Sequence, residues 1–218
     1  MKKLLIISLL LNIALLAAVF YLCKHQPDKS MRDDKECVMS WNNCIKKLDM
    51  QADIVFFGDS HTAYGDWQRA FSEIKSINLG YMGEDTKGML RRVEVIQSVH
   101  PRKVFLIAGL NGLGDQSAAE FESAYCALVD SIQSAVPEAE LYIENILPVN
   151  DDVYLNKKVI EANRIIRNIA EERKLTYVDL YSLYAVNSEL PTDVTLDGVH
   201  LKSEAYNLWY KSIQPFIR

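Results

Sequence analysis

The stretch Asp53-Ile54-Val55-Phe56-Phe57-Gly58-Asp59-Ser60-His61-Thr62 decides how this chain folds. Ile54 to Phe57 are β-branched and aromatic without a break, which predicts a strand buried on both faces. The run stops at Gly58-Asp59-Ser60, where a glycine lets the backbone turn sharply. A serine in that turn stands at the carboxyl end of a strand, where open α/β sheets collect their ligands. Ser60 is therefore a candidate nucleophile. By itself a Gly-Asp-Ser stretch is more often a turn or helix-cap serine than a nucleophile, so the rest of the chain has to decide.

Downstream, strands and helices alternate. Asp66 to Ile74 is helical or loop-like, and Ser76 to Leu79 is a short second strand. Lys87 to Val99 carries Leu90, Val93 and Ile96 at helical spacing and is expected to be one amphipathic helix, closed by Pro101. Val104 to Ala108 is a third strand, Ala118 to Val136 a long helix, and Leu141 to Leu147 a fourth strand. Lys157 to Arg173 is helical, Thr176 to Leu180 is a fifth strand, and Ser203 to Ile217 is the last helix. Strands joined through helices imply right-handed crossovers and a mainly parallel sheet, covered on both sides. The expected fold class is a three-layer α/β/α sandwich.

Three further features fall on strand ends. Gly80-Tyr81-Met82-Gly83-Glu84-Asp85-Thr86 follows the second strand. Gly109-Leu110-Asn111-Gly112 follows the third. Asp197-Gly198-Val199-His200 precedes the last helix. Alone, each is weak, since loop glycines, asparagines and histidines have many uses. Together they provide what ester hydrolysis needs. A serine hydroxyl requires a base, and imidazole is the side chain suited to that task near neutral pH. His200 is the candidate base, and Asp197, three residues before it, is the carboxylate that would hold its tautomer. Gly83 offers an unobstructed backbone N–H and Asn111 an amide. With the Ser60 N–H these are candidate donors to an oxyanion.

On these residues the chain resembles the SGNH hydrolases, or GDSL-type lipases and acylhydrolases. The matching blocks are Gly58-Asp59-Ser60, Gly83, Asn111 and Asp197-x-x-His200, in the family's order, and the likeness spans about Asp53 to Arg218. Leu141 to Asn150 looks closest to the branch of short-chain and carbohydrate acetylesterases. The resemblance implies a flavodoxin-like sheet of five parallel strands. It implies a catalytic Ser60, Asp197 and His200, with Ser60, Gly83 and Asn111 as the oxyanion hole and no metal or cofactor. Two departures stand out. Gly112 occupies the position where the family usually has an Asp that braces the loop. His61 replaces the usual apolar residue after the serine and is expected to be a partly exposed bystander. Asp59 is expected to accept backbone N–H bonds around its turn. Tyr64, Trp67 and Tyr81 lie near these loops and serve either loop packing or stacking on a sugar.

The amino terminus has a different character. Leu4 to Cys23 is almost uninterruptedly apolar, long enough for a membrane-spanning helix. Residues 1–23 read as an uncleaved signal anchor, with a cleaved, secretory signal as the alternative. Lys2 and Lys3 place the amino terminus in the cytoplasm, although Lys24, Lys29, Arg32 and Lys35 pull the other way. The globular part is expected outside the cytoplasm, joined by a polar tether over residues 24–35 to a hydrolase domain over residues 36–218. Met39 to Met50 looks like a short helix with Trp41, Ile45 and Leu48 on one side. In one helix Cys37 and Cys44 would lie about 10 Å apart along the axis, so a disulfide between them needs a non-helical start. Cys126, in a helical pattern, reads as a buried free thiol.

Composition narrows the partners. The chain has 218 residues, 49% hydrophobic and 24% charged, with a net charge of −5. Such a chain buries a sizeable core and offers nucleic acid no basic field. The leading expectation is a serine esterase acting on small acyl esters, with an O-acetylated carbohydrate favoured. Lysophospholipid or other lipid esters, and acyl transfer to a sugar, are alternatives. A non-catalytic glycan-binding protein on the same fold is the rival of a different class, and Gly112 is its only support.

Overall fold

The computed structural model describes residues 40–218. The segments expected to be a signal anchor and a tether, and Cys37, lie outside the described residues. Among the described residues, no helix is long and apolar enough to cross a membrane. Residues 40–47 are helical. Ile45 is buried there, but Trp41 and Leu48 are exposed, which corrects the expected apolar side. The helix ends at residue 47, so Leu48 lies beyond it. Cys44 and Cys126 are free and half-buried.

The compact unit runs from Asn42 to Arg218. In order, β1 (Ile54–Gly58) leads into α1 (Ser60–Ala63) and α2 (Trp67–Ala70), and β2 (Ser76–Gly80) into α3 (Thr86–Leu90) and α4 (Glu94–Val99). Next come β3 (Lys103–Ile107), α5 (Ala118–Ala135), β4 (Glu140–Glu144), α6 (Val153–Glu172), β5 (Thr176–Val178), α7 (Tyr181–Tyr184) and α8 (Tyr206–Ile217). The five strands pair in the order β2-β1-β3-β4-β5, and every pairing is parallel. Strand order therefore reverses at the centre, between β1 and β3, the place where such sheets bind ligands.

Alternation along the strands sends neighbouring side chains to opposite faces. Ile54, Phe56, Phe105, Ile107 and Tyr142 pack with Trp67, Phe71, Trp209 and Ile213, under α2 and α8. Val55, Phe57, Val104, Leu106 and Ile143 pack with Met89, Ile96, Leu128, Val129, Ile166 and Ile169, under α3 to α6. The three layers are thus two apolar cores separated by one sheet. The long helices have local causes as well. Ser117 and Glu120 form a reciprocal capping box at the start of α5, and Asp152 caps α6 by accepting from Leu155 N, each device satisfying backbone donors that a helix start leaves free.

Several expected elements differ, the fifth strand among them, which ends at Val178 rather than Leu180. The single helix over Lys87–Val99 is two, α3 and α4, separated at Arg91 to Val93. Around that break Arg92 N, Val95 N and Ile96 N each bond a carbonyl three residues back rather than four, which tightens the turn and sends the Arg92 side chain inward. The fourth strand ends at Glu144 rather than Leu147. Ile146 and Val149 remain buried, but side chains serve their backbone. Asn163 bonds both Ile146 N and O at 2.8 Å, and Asn156 bonds Val149 N at 2.9 Å and O at 2.8 Å. An apolar run reads as strand because burial is legible, whereas these polar partners come from α6. That helix also starts earlier than expected, at Val153.

Candidate active site

Ser60 opens α1 immediately beyond β1, with Asp59 as the helix cap. The Asp59 carboxylate accepts from His61 N at 2.9 Å, as expected of a turn carboxylate. Gly58 and Gly80 are register partners, and both are needed for close approach. A Cβ on Gly80 would sit 2.2 Å from Ala63 N. One on Gly58 would sit 2.9 Å from the Ile107 carbonyl. These contacts press α1 onto the ends of the central strands and place the serine at the switch point.

His200 reaches this serine from the far end of the chain. Its Nε2 lies 3.0 Å from Ser60 Oγ, and its Nδ1 lies 2.7 Å from Asp197 Oδ2. The other oxygen, Asp197 Oδ1, accepts from Val199 N at 3.0 Å and His200 N at 2.8 Å. Hydrogen bonds from the His200 ring and backbone, with help from Val199 N, hold the Asp197 carboxyl down at about 2. The loop is closed on itself: Leu196 N donates to His200 O at 2.9 Å, and so does the Thr195 hydroxyl at 2.8 Å. Asn150 N donates to Gly198 O at 2.7 Å, which ties this loop to the segment after β4.

The remaining candidates lie on neighbouring loops. Tyr81 N donates to Gly58 O at 3.0 Å, so the segment reaching Gly83 starts beside the serine turn. Gly83 has φ +70°, and a Cβ built there would meet no atom within 4 Å. Its glycine is required by conformation, and the space before it is open to a ligand. Asn111 Nδ2 donates to Glu84 O at 3.0 Å, which joins the third loop to the second next to Gly83. Gly112 has φ +76° and no side chain with which to hold its neighbour.

His61 is the clear correction. It is 2% exposed, not a partly exposed bystander. Its Nε2 lies 3.0 Å from Val199 O and its Nδ1 3.4 Å from Asp59 Oδ1. Both ring nitrogens face acceptors, an arrangement that suits an imidazole carrying two protons. Burial pulls its pKa down, but the Asp59 carboxylate and the Val199 carbonyl outweigh it, and the net shift is upward. The aromatic residues divide. Trp67 is core, stacked on Phe56 at 4.1 Å between centroids. Tyr64 is half-exposed and meets the His200 ring edge-on at 5.2 Å.

Arg92, Glu84 and Asn150 went unread in the sequence. Glu84 follows Gly83 directly, but nothing local marks the arginine eight residues later as its partner. Among the described residues, no group of three or more His, Cys, Asp or Glu side chains is arranged to hold a metal ion.

A parallel sheet with Ser60, His200 and Asp197 assembled at its switch point has the layout of a hydrolase. Residues 56–208 match the model of the GDSL-like lipase/acylhydrolase family, and the chain belongs to that family. The platelet-activating factor acetylhydrolase IB subunit alpha2 of Homo sapiens is 25% identical over 126 residues, 55% of each chain. The chain therefore spans about half the length of the curated relatives it matches. Among solved structures, a chain from Streptococcus pneumonia described as a platelet activating factor has a TM-score of 0.75 at 23% identity, covering 95% of this chain and 99% of that one. The acetyl xylan esterase AlAXEase has a TM-score of 0.66 at 18% identity, covering 76% and 99%. At these identities the likeness is one of fold.

Proposed function

We propose that this chain is a serine esterase that releases small acyl groups, with an O-acetylated carbohydrate as the favoured substrate. The observation that carries the reading is the continuous line Asp197–His200–Ser60, with contacts of 2.7 and 3.0 Å. His200 Nδ1–H donates to Asp197, which leaves the Nε2 lone pair facing the serine hydroxyl. Ser60 Oγ attacks the ester carbonyl carbon while its proton passes to Nε2. Negative charge then develops on the carbonyl oxygen, where the Ser60 and Gly83 N–H groups and the Asn111 amide stabilise it. As the bond to the alcohol breaks, His200 gives its proton to the leaving oxygen. Water attacks the acyl-enzyme while His200 takes its proton; the bond from the acyl carbon to Oγ then breaks, the carboxylic acid leaves, and His200 returns the proton to Ser60 Oγ.

The acyl part is inferred from names that share one group. The platelet-activating factor acetylhydrolase relatives and the acetyl xylan esterase fold neighbours both carry acetyl in their names, whereas their alcohols differ. The carbohydrate preference comes from the likeness of Leu141–Asn150 to the acetylesterase branch. A lipid ester is the second reading. Met82 and Leu196, flanking Gly83 and Asp197, are 53% and 69% exposed, an apolar setting that an acyl chain would cover. The apolar run from Leu4 to Cys23 supports an extracytoplasmic domain tethered to a membrane.

The test is hydrolysis of p-nitrophenyl acetate by the wild-type protein and by Ser60→Ala. Turnover in the first that disappears in the second supports the esterase. Equal rates refute it. A panel of acetylated xylo-oligosaccharides and lysophospholipids then separates the two substrate classes.

A further inference from the structure

Behind the three loops lies a buried ion pair that the hydrolytic steps do not use. The side chains of Arg92 and Glu84 are 5% and 9% exposed. Arg92 Nε lies 2.9 and 2.7 Å from the two carboxylate oxygens of Glu84, and a terminal nitrogen of the guanidinium also donates to Glu84. That same nitrogen donates to Gly58 O at 3.3 Å. The guanidinium carbon sits 4.4 Å from the centre of the Phe57 ring. On the other side of the pair, Glu84 O accepts the Asn111 amide at 3.0 Å.

The pair therefore joins the strand end before Ser60 to the residue after Gly83, whose main-chain carbonyl in turn holds Asn111. It is an expensive way to gain stability. Taking two charges out of water costs much of what their attraction returns, and a well-packed apolar pair is often as stable or more so. Burial raises the Glu84 pKa even with Arg92 opposing it. What an apolar pair cannot reproduce is the geometry. A bidentate guanidinium fixes the carboxylate in plane and angle, and here it also reaches the Gly58 carbonyl at the end of β1. Gly112 has no side chain that could hold Asn111 from its own loop.

We propose that Glu84 and Arg92 are positioning residues for the oxyanion hole. They hold the Gly83 N–H and the Asn111 amide in register with Ser60. The proposal rests on the esterase reading above. Neither residue touches substrate. Their effect is felt as developing charge on the carbonyl oxygen, so they act on turnover far more than on substrate binding.

The experiment compares wild type, Ser60→Ala, Glu84→Gln, Arg92→Lys and the double variant Glu84→Leu with Arg92→Met. It records thermal midpoint, kcat and KM for p-nitrophenyl acetate, and inhibition by phenylboronic acid, whose serine adduct presents an oxygen to the same donors. In the folded double variant kcat falls about 10- to 100-fold, as small misplacements of catalytic groups do. KM changes by no more than about two-fold, the signature of an interaction made in the transition state. Boronate affinity drops in step with kcat. Arg92→Lys, which keeps the charge without the fork, falls between wild type and the double variant. Unchanged kcat and boronate affinity in the folded double variant overturn the proposal. If the double variant does not fold, the same two readings on Glu84→Gln decide it. Absence of Ser60-dependent hydrolysis in wild type removes the esterase reading, and this proposal with it, before any pair variant is measured.

Discussion

His61 Nε2 lies 3.0 Å from the carbonyl oxygen of Val199, 138 residues further along the chain. That contact ties the helix turn bearing Ser60 to the loop bearing His200. It does so one residue beyond the first and one residue before the second. The His61 ring is also 5.8 Å from the His200 ring, centroid to centroid, so a change in one is felt by the other.

Replacing this ring tests its role as a tie. His61→Leu fills the space but donates no hydrogen bond to Val199, and kcat is expected to fall about 10-fold with KM little changed. His61→Gln keeps a donor and retains more activity. The sign of the pH effect follows from an upward shift. A folded pKa above the unfolded one adds stability that is complete below the unfolded value, near 6.5, and is lost as pH rises through the folded value. The stability advantage of wild type over His61→Leu is therefore larger at pH 6 than at pH 9. Denaturant titrations at both values measure it, and equal differences would remove the charged tie.

The carboxylate of Asp197 can be tested apart from the base. In Asp197→Asn the amide oxygen can still accept from the backbone of His200, but an NH2 group then faces Nδ1. The ring is pushed to the wrong tautomer, and kcat falls about 10²- to 10⁴-fold. Half-exposure of Asp197 allows water to stand in, which favours the lower end. His200→Ala removes the base and costs at least as much. Activity of Asp197→Asn within about two-fold of wild type would contradict the assigned orientation.

Glu144 makes stability fall as the medium turns alkaline. It is buried beneath α8, where Trp209 Nε1 donates to its Oε1 at 2.6 Å. Burial lifts its pKa from 4.5 to about 8. Between those values the folded state holds a proton that the unfolded state releases, so stability falls with rising pH by about 1.4 kcal/mol per unit at most. Glu144→Gln still accepts from the indole and carries no charge. It should match wild type near pH 4 and exceed it by several kcal/mol at pH 8, an order-of-magnitude figure. Chemical denaturation across that range tests it, and parallel curves would refute it.

Asn163 is expected to matter for folding rather than chemistry. Its amide satisfies both backbone groups of Ile146, within a segment that has left the sheet. Asn163→Ala strands a buried N–H and a buried carbonyl and should cost about 2–4 kcal/mol. Thermal or denaturant unfolding gives the value. A loss under about 0.5 kcal/mol, the range of an ordinary surface change, would mean that other groups take over these bonds.

Much of this molecule is legible in the sequence. Ile54 to Phe57 announces its strand because a two-sided core needs an unbroken apolar run. Asp197 and His200 announce their pairing because three residues of loop hold it. What is hidden depends on partners distant in the chain. Nothing around His61 reveals that Val199 will lie over it. Arg92 looks like one more charge on an amphipathic helix until Glu84 and Gly58 turn it inward. The segment after Glu144 looks like strand because its burial is visible and its asparagine partners are not.

Asp197 grips both the imidazole and the backbone N–H of His200 within one self-closed loop. Base and orienter therefore travel as a single cartridge, and the triad has in effect two moving parts. Misalignment of the triad then reduces to one coordinate, the gap between that cartridge and the serine. Heat, acid or a strained substrate would be expected to act first along that gap, well before the carboxylate and the ring let go of each other.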